Sequence, residues 1–378
     1  MVIKIRDAET REIIGTFSDF ISLIWTERFK TYGDFELVTP LTKKHFDLLK
    51  IDSYVEIPTS TNLMIIEEIS IQDDEDNQHL TVKGKSFESI LWRRIIIHWR
   101  DVQSHVSLSK ILEYIINDNL LSDATKFRRV NWIILNLDLP EDLPEETKWF
   151  QTSVNRGDVL GEAIYTLGEL FGFCPITTFN PFTKEVYLNF YFGKQTNIIF
   201  KHANYNLSNS SYLLSTDNFK TSAFVAGSGE GKKRKSVTVS RSVRETIHDG
   251  SGKTETVITF EYNGILRREM FVDARDLQIG EKETDVNYKL RLMERGIEKL
   301  KENNKDYVVD GIITNTGKYK LNVDYQLGDI VKVESNFYSA TARITEIIQS
   351  WSDTGYQIYP SFETIEVTVG DISETYNI

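Results

Sequence analysis

The first 98 residues carry, almost throughout, the alternation of apolar and polar side chains that is typical of β-strands. Turn-forming residues separate the strand segments at near-regular spacing, and one stretch, LTKKHFDLLK, suggests a short helix. Short strands spaced in this way favour a small barrel or a sandwich. The strand segments are MVIKIRD, EIIGTF, SLIWTERF, DFELVTP, SYVEIP, NLMIIEEISIQ and HLTVKGKS.

An aromatic stretch at 25–40, WTERFKTYGDFELVTP, lies inside this region. The segments on either side of Tyr-Gly-Asp at 32–34 are rich in β-branched and aromatic residues, and these three residues favour a turn. The stretch therefore predicts a β-hairpin. A half-buried hairpin is the favoured interpretation of its aromatic residues, and the lining of a site is the alternative.

Side chains alternate across a strand, so each strand of this hairpin is expected to bury one face. Leu23 and Trp25 share one face, and Phe35 and Leu37 can share the facing one. Glu27 or Glu36 is expected to lie at an edge of the sheet or on its outside.

At 378 residues the chain exceeds what one hydrophobic core usually organises, and roughly two to four domains are expected. Helical spacing begins after residue 100, and strand patterns return from Phe219 to the end. We predict a β-rich, multidomain α+β fold in which two small β-barrel-like domains flank α+β domains. The predicted domains are 1–98 (N-terminal, β-barrel-like), 99–218 (α+β), 219–304 (β-hairpin and helix) and 305–378 (C-terminal, β-barrel-like).

Two helices are predicted in the second domain, because apolar residues recur there at helical spacing. Ser107 is a possible N-cap for the first helix, and Gly172 is expected to end the second. The apolar stripes consist of Leu108, Ile111, Leu112, Ile115 and Ile116 in the first helix, and of Val159, Leu160, Ala163, Ile164, Leu167, Leu170 and Phe171 in the second.

A third helix is predicted in TDVNYKLRLMERGIEKLKENN. Its apolar residues recur at alternating steps of four and three and form a narrow seam with charges elsewhere. Packing in the core is the favoured interpretation of this seam, and an oligomer contact is the alternative. The seam residues are Val286, Leu290, Met293, Ile297 and Leu300.

The chain is acidic, with a formal net charge of −12, which disfavours tight wrapping of nucleic acid. DNA can still pass nearby without sequence recognition. No segment approaches the ~20 apolar residues that span a bilayer, so no membrane insertion is expected. The N-terminus begins in a strand pattern, and a secretory signal is not expected.

One basic cluster, formed by Lys232, Lys233, Arg234 and Lys235, lies in the glycine-rich stretch GSGEGKKRKS. A solvated loop is one interpretation. The other is a contact with acidic surface on a neighbouring subunit or tail protein. In that case, neutralising all four side chains is expected to weaken assembly in a salt-sensitive way while the monomer stays folded.

The search for catalytic or metal-binding motifs predicts no such residues and no cofactor. The sequence has no nucleophile elbow and no histidine pair with zinc-binding spacing, and the acidic loop at 73–76 lacks the ligand spacing of a calcium loop. Cys174 is expected to be a small buried core residue and not a reactive thiol. A pair of carboxylates for glycoside hydrolysis stays open, since any two acidic residues can meet in space.

Several motifs together resemble siphophage tail hub proteins, the family often described as tail-associated lysin N-terminal domains or prophage endopeptidase tail proteins. The aromatic hairpin with its Gly-Asp-Phe is followed by LMIIEEISI and by LTVKGKSFESILWRRII, in the family's order. FVAGSGEGKKRKS looks like the Gly-rich stretch of that family, and YQLGDIVKV resembles its C-terminal barrel strand.

The resemblance implies the fold of a phage baseplate hub, in which two small β-barrel-like domains and two intervening α+β domains form each subunit of a trimer. The barrels of the three subunits alternate into a pseudo-sixfold ring. The resemblance implies that the aromatic hairpin builds a wall of this ring, with Trp25 and Phe35 in the core. Within GKSFESILWRR, the resemblance implies that Ser86 and Glu88 fix the chain, and that Arg93 and Arg94 face acidic surface.

The function implied by the resemblance is structural, and no catalytic residues are carried over from the family. We expect a trimeric hub at the virion tail tip, made in the host cytoplasm, that docks under the distal tail protein and closes the tail tube. The hub opens to release DNA and the tape measure protein into a Gram-positive host, and receptor-binding or other baseplate proteins are further expected partners.

Two other functions stay open. The sequence stops at Ile378, directly after the last strands, which favours a short closing hub over an enzyme-bearing one. The alternative is a cell-wall hydrolase, a peptidase or glycosidase, carried on a hub scaffold. Receptor or saccharide binding through exposed aromatic residues is the third interpretation.

Overall fold

The computed structural model describes residues 1–74, 77–98, 107–140, 156–248, 254–260, 262–280, 283–313, 319–369 and 372–375. The chain divides into two compact units, one made of Met1–Ser211 with Val309–Ile378 and the other of Tyr212–Val308. Glu75 and Asp76 of the acidic loop lie outside the described residues. The four domains predicted from the sequence stay a prediction.

The N-terminal part of the first unit is an antiparallel arrangement in which neighbouring strands follow the order β3-β4-β7-β6-β5-β1-β2. Each strand turns alternate apolar side chains toward a common core, as the sequence pattern predicts. A short helix, α1 at Lys43–Leu48, starts at Thr42, whose side chain accepts a hydrogen bond from the His45 N–H. The strands are β1 (Ile3–Arg6), β2 (Ile13–Phe17), β3 (Ser22–Arg28), β4 (Asp34–Pro40), β5 (Tyr54–Glu56), β6 (Met64–Asp74) and β7 (Asn77–Ser86).

Helices α2 (Leu108–Asn119) and α3 (Leu160–Phe171) pack in a second core of this unit. The Ser107 side chain accepts a hydrogen bond from the Lys110 N–H, and Gly172 ends α3 with a φ of 78°, so both predicted caps are confirmed. The five predicted stripe residues of α2 are buried. The same core contains a three-stranded sheet of order β8-β10-β9, formed by β8 (Ile133–Leu135), β9 (Cys174–Asn180) and β10 (Glu185–Tyr191).

Strands from the two ends of the chain share one sheet in the first unit. The long strand β20 pairs antiparallel with β3, with Gln349 opposite Trp25 and Trp351 opposite Leu23. It also pairs along its length with β21. The strands of this part are β11 (Gln195–Lys201), β12 (Leu207–Ser215), β18 (Asp306–Ile313), β19 (Ile330–Glu334), β20 (Tyr338–Ser352), β21 (Gly355–Val369) and β22 (Ile372–Thr375).

The second unit contains a sheet of order β14-β13-β17 and a long helix, α4 (Asp285–Glu302). The helix begins after Thr284, whose side chain accepts a hydrogen bond of 3.2 Å from the Asn287 N–H. A separate ribbon is formed by β15 and β16. The strands are β13 (Ser222–Ala226), β14 (Ser236–Ser240), β15 (Ser242–His248), β16 (Thr254–Phe260) and β17 (Glu269–Asp273).

The face that α4 buries differs from the predicted one. Tyr288, Leu292 and Leu300 are buried against Val225 and its neighbours in the sheet. Gly296 lies on the same face, and a Cβ added there would lie within 3 Å of the side chains of Val239 and Val225. A helix approaches a sheet closely only where its side chains are small, so Gly296 sets which face is buried.

The prediction that the seam packs in the core is therefore wrong for four of its five residues. Leu300 is buried, while the other four are exposed on α4. The exposed seam residues are Val286, Leu290, Met293 and Ile297.

The fold as a whole is a β-rich α+β fold, as predicted. Closure of the strands into barrels stays a prediction. Among the described residues, no helix has both the length and the apolar character needed to cross a membrane.

Candidate functional site

The predicted hairpin consists of β3 and β4, and Trp25 lies directly opposite Phe35 in its register. The two ring centroids are 6.0 Å apart. Residues that oppose each other in an antiparallel pair point to the same side of the sheet. Leu23, Trp25, Phe35 and Leu37 are therefore buried on one shared face, which corrects the expectation of two facing ones and confirms Trp25 and Phe35 as core residues.

The turn of the hairpin is tied to the GKSFES segment. A Cβ on Gly33 would lie 2.0 Å from the carbonyl oxygen of Thr26, so this position accepts no side chain. The Gly33 N–H donates a hydrogen bond of 2.8 Å to Oγ of the buried Ser86. The prediction that Ser86 fixes the chain is confirmed.

Glu88 joins three segments of the first unit through buried hydrogen bonds. It lies in the 3₁₀ helix Phe87–Arg93 and accepts bonds of 2.9 and 3.0 Å from the Asn62 side-chain amide. It also accepts bonds from the backbone N–H of Thr177, at 2.7 Å, and from the Thr177 hydroxyl, at 2.9 Å. The prediction that Glu88 fixes the chain is confirmed, and sequence reasoning missed Asn62 and Thr177 because neither belongs to a recognisable motif.

Glu27 points inward and does not lie at an edge. Its carboxylate accepts hydrogen bonds from the indole N–H of Trp25, at 3.1 Å, and from the Ser60 hydroxyl. Burial raises the pKa of Glu27 despite these two hydrogen bonds, and the nearby charge of Glu88 raises it further. Glu36 does lie at the surface, where it forms an ion pair of 2.8 Å with Lys83.

A small polar cavity of about 60 Å³ lies between these groups. Glu27, Asn62, Glu88, Tyr165 and Thr177 are among the residues that line it. A cavity of this size holds a few water molecules. The arrangement can hold a proton on Glu27, and through Glu88 it joins the segments that contain Asn62 and Thr177.

Arg93 and Arg94 differ in their surroundings, although they are adjacent. Arg93 forms ion pairs with Glu67, at 2.9 Å, and with Asp52, at 3.2 Å, so its expected acidic surface is supplied by the same chain. Arg94 donates to the backbone oxygen of Arg93, and its buried Nε has no hydrogen-bond partner among the described residues. Burial, followed by the neighbouring guanidinium groups of Arg128 and Arg93, lowers the pKa of Arg94. The expectation that Arg94 faces acidic surface stays a prediction.

The basic cluster of the second unit is partly neutralised within its own unit. Arg234 donates to the backbone oxygens of Ala226, at 2.7 Å, and Gly227, at 3.0 Å, and it forms an ion pair of 2.6 Å with Asp273. Lys235 forms an ion pair of 2.6 Å with Asp285 at the start of α4.

The two remaining lysines of the cluster belong to the 3₁₀ turn Gly231–Lys233. Lys233 is exposed, and the side chain of Lys232 lies outside the described residues. Lys233 is therefore better placed than Arg234 or Lys235 to meet a partner.

Cys174 is buried in the first unit, as predicted, and burial raises the pKa of its thiol well above the ordinary value. A thiol in this state is a poor nucleophile. Within the described ranges, no three His, Cys, Asp or Glu side chains lie close enough together to hold a metal ion.

The fold described above is that of phage tail proteins. The 43 kDa tail protein of prophage MuSo2 from Shewanella oneidensis is 12% identical, with a TM-score of 0.53, over 96% of this chain and 98% of that one. The tail protein of Neisseria meningitidis MC58 is 10% identical, with a TM-score of 0.52, over 96% of both chains. Prophage tail protein gp18 of Listeria monocytogenes EGD-e is 13% identical, with a TM-score of 0.50, over 95% of this chain and 94% of that one.

The particular family follows from the sequence. Residues 2–370 match the family of Siphovirus ReqiPepy6 Gp37-like proteins, and the chain belongs to that family. No curated protein matches the chain by sequence.

Proposed function

We propose that this protein is the hub of a siphophage tail tip. Three copies form a closed ring that docks under the distal tail protein and closes the tail tube. The ring opens for DNA ejection into a Gram-positive host. The observation that carries the proposal is the family match over residues 2–370, together with a fold that follows prophage tail proteins along nearly their whole length.

The construction of the first unit suits a ring wall. The pairing of β20 with β3 links the two ends of the chain in one sheet, and the buried face around Trp25 and Phe35 stiffens it. Cyclic assembly repeats one interface around an axis. The two β-rich ends of each subunit would then occupy two different positions in the ring. The barrel-like closure of these strands, expected from the hub resemblance, is part of this proposal.

The charge of the chain suits passage of DNA without capture. A net charge of −12 repels phosphates, so DNA passing through the hub gains little from contact with the protein. The partners that we propose are the distal tail protein, the tape measure protein and receptor-binding or other baseplate proteins. The site of action is the virion tail tip.

We further propose that the protein is not an enzyme. Glu27 and Glu88 line one cavity, which is the arrangement that most favours the alternative, a cell-wall hydrolase. Against it, Glu88 accepts four hydrogen bonds from Asn62 and Thr177, and the cavity has a volume of only about 60 Å³. A zymogram against Gram-positive cell walls is expected to stay unlysed, and a lytic band from pure protein would support the hydrolase.

The hub proposal is tested by the mass of the purified full-length protein. Light scattering, with and without the distal tail protein, is expected to give three chains of 43.7 kDa per particle. Electron microscopy of the complex with the partner should show a threefold ring. A monomeric or dimeric mass under both conditions, at micromolar concentration, would contradict the proposal.

A further inference from the structure

Helix α4 has two apolar faces, and the residues that the structure describes cover only one of them. Tyr288, Leu292 and Leu300 are buried against the sheet of the second unit. On the other face, the exposed fractions are 66% for Val286, 50% for Leu290, 40% for Met293 and 45% for Ile297. We call these four residues the α4 seam.

The spacing of the α4 seam specifies what can cover it. Steps of four, three and four residues are the d-a-d-a spacing of a heptad repeat. Such a seam packs side chains into the holes of another helix that carries the same repeat, with a left-handed crossing. A helix is therefore a better occupant than a strand or a loop.

The charges beside the α4 seam select the orientation of that helix. In the heptad frame set by the seam, Lys289 occupies a g position and Glu294 an e position. In a parallel bundle, a g residue lies beside the e residue five positions further along the neighbouring chain. Lys289 of one copy therefore lies beside Glu294 of the next, with opposite charge, in every interface of a symmetric ring. Within the described part of the chain, Lys289 forms an ion pair of 3.1 Å with Asp285 at the surface, which it can exchange at little cost.

We propose that the α4 seam binds the same seam of the other copies in a parallel helix bundle around the symmetry axis. The occupant is thus a second and a third copy of this chain. This inference rests on the trimer of the proposed function and adds the surface that holds it. The seam spans only two heptads, too few to hold separate helices together, so it acts together with the wider contacts of the ring.

The test compares the full-length wild-type protein with a Leu290→Glu/Ile297→Glu variant. Both side chains are exposed, so the substitutions place charge in the bundle and leave the fold of the monomer unchanged, which circular dichroism verifies. Light scattering is expected to show at least a tenfold higher concentration for trimer dissociation. The matched control is Ile265→Glu/Leu266→Glu, which adds the same charge at exposed apolar residues of the same unit outside α4 and should keep the wild-type mass.

Cysteine crosslinking tests the orientation. Val286→Cys brings equal positions together only in a parallel bundle, so oxidation should link two chains covalently. The buried Cys174 is expected to stay unreactive. In an antiparallel pair, position 286 would lie near position 297 of the partner, and Val286→Cys alone would give no crosslink.

The outcomes separate this inference from the hub proposal. A wild-type trimer that survives Leu290→Glu/Ile297→Glu unchanged, with no Val286→Cys crosslink, overturns the α4 inference and leaves the hub intact. Loss of binding to another tail protein while the trimer persists also overturns it, since the seam would then serve a different partner. A wild-type protein that never trimerises contradicts the hub itself.

Discussion

The indole N–H of Trp25 donates a hydrogen bond of 3.1 Å to the carboxylate of Glu27, two residues further along the same strand. Residues two apart on a strand point to the same face, so the alternation that buries Leu23 and Trp25 also turns Glu27 inward. The carboxylate satisfies an indole that would otherwise lose its hydrogen bond on burial. The alternation along this one strand therefore places both the apolar core residues and the buried carboxylate of Glu27.

Truncation of Trp25 is expected to destabilise the first unit. Trp25→Ala removes a fully buried indole and should lower the free energy of unfolding by ~3 to 5 kcal/mol. Trp25→Phe keeps an aromatic ring and should cost less, because it loses mainly the bond to Glu27. Urea unfolding of both variants measures the difference, and an unchanged midpoint for Trp25→Ala would show that the side chain is not packed as described.

The raised pKa of Glu27 predicts a specific pH dependence of stability. Protonation is favoured in the folded state, so this contribution is fully present below the ordinary value of 4.5 and is lost as pH rises through the folded pKa. Glu27→Gln stays neutral, so its melting temperature should rise relative to wild type as pH increases from about 4.5. The matched control is Glu36→Gln, which removes a carboxylate from the surface of the same hairpin.

Removal of Glu88 is expected to loosen the joint between three segments. Glu88→Ala leaves the buried N–H of Thr177 and the Asn62 amide without their acceptor, at a cost of about 2 to 3 kcal/mol. Glu88→Gln retains one acceptor oxygen and should lose less. Chemical denaturation gives both values, and equal stability of Glu88→Ala and wild type would refute this assignment.

The basic cluster is expected to separate into two roles. Arg234→Gln loses two backbone acceptors and the Asp273 ion pair, so it should lower the melting temperature of the second unit. Lys232→Gln/Lys233→Gln should leave the melting temperature unchanged and weaken assembly, more at low salt than at high salt. Neutralising all four residues, the change considered in the sequence analysis, would therefore affect folding and assembly at once, and these two variants separate the effects. If the double lysine variant assembles normally at every salt concentration, the solvated-loop interpretation of this segment is the one that remains.

The lowered pKa of Asp273 predicts how its contacts with Arg275 and Arg234 respond to pH. The Arg275 guanidinium, with a further contribution from Arg234, lowers the pKa of Asp273 to about 2. The stabilisation from these contacts is thus present above the ordinary value of 3.8 and is lost only as pH falls toward 2. Thermal unfolding of Asp273→Asn at pH 7 and near pH 2 should converge with wild type at the lower pH; a constant difference would exclude an electrostatic origin.

Local features of the fold were predictable from the sequence. The hairpin turn at Gly33 and the caps at Ser107 and Gly172 depend on residues within a few positions of each other. The buried stripe of α2 follows from helical periodicity in the same way. These features need no knowledge of distant parts of the chain.

What the sequence did not determine is which surfaces meet. The acceptor that Glu88 offers to Thr177 joins residues 89 positions apart, and no periodicity encodes such a pair. On α4, apolar residues cover more than one face, so the pattern marked a seam but could not tell which face the sheet would take. Gly296, the single glycine of the helix, lies on the face that packs against the sheet. Periodicity is judged from large apolar residues, so it did not mark this position.

Gly296 also makes the contact between α4 and its sheet sensitive to a single substitution. A Cβ at this position would lie within 3 Å of the side chains of Val225 and Val239, so a larger residue would push the helix away from the sheet. The α4 seam lies on the other face of the same helix, so such a shift would also displace the surface that we propose for assembly. One buried position inside the second unit would then influence the contacts between copies.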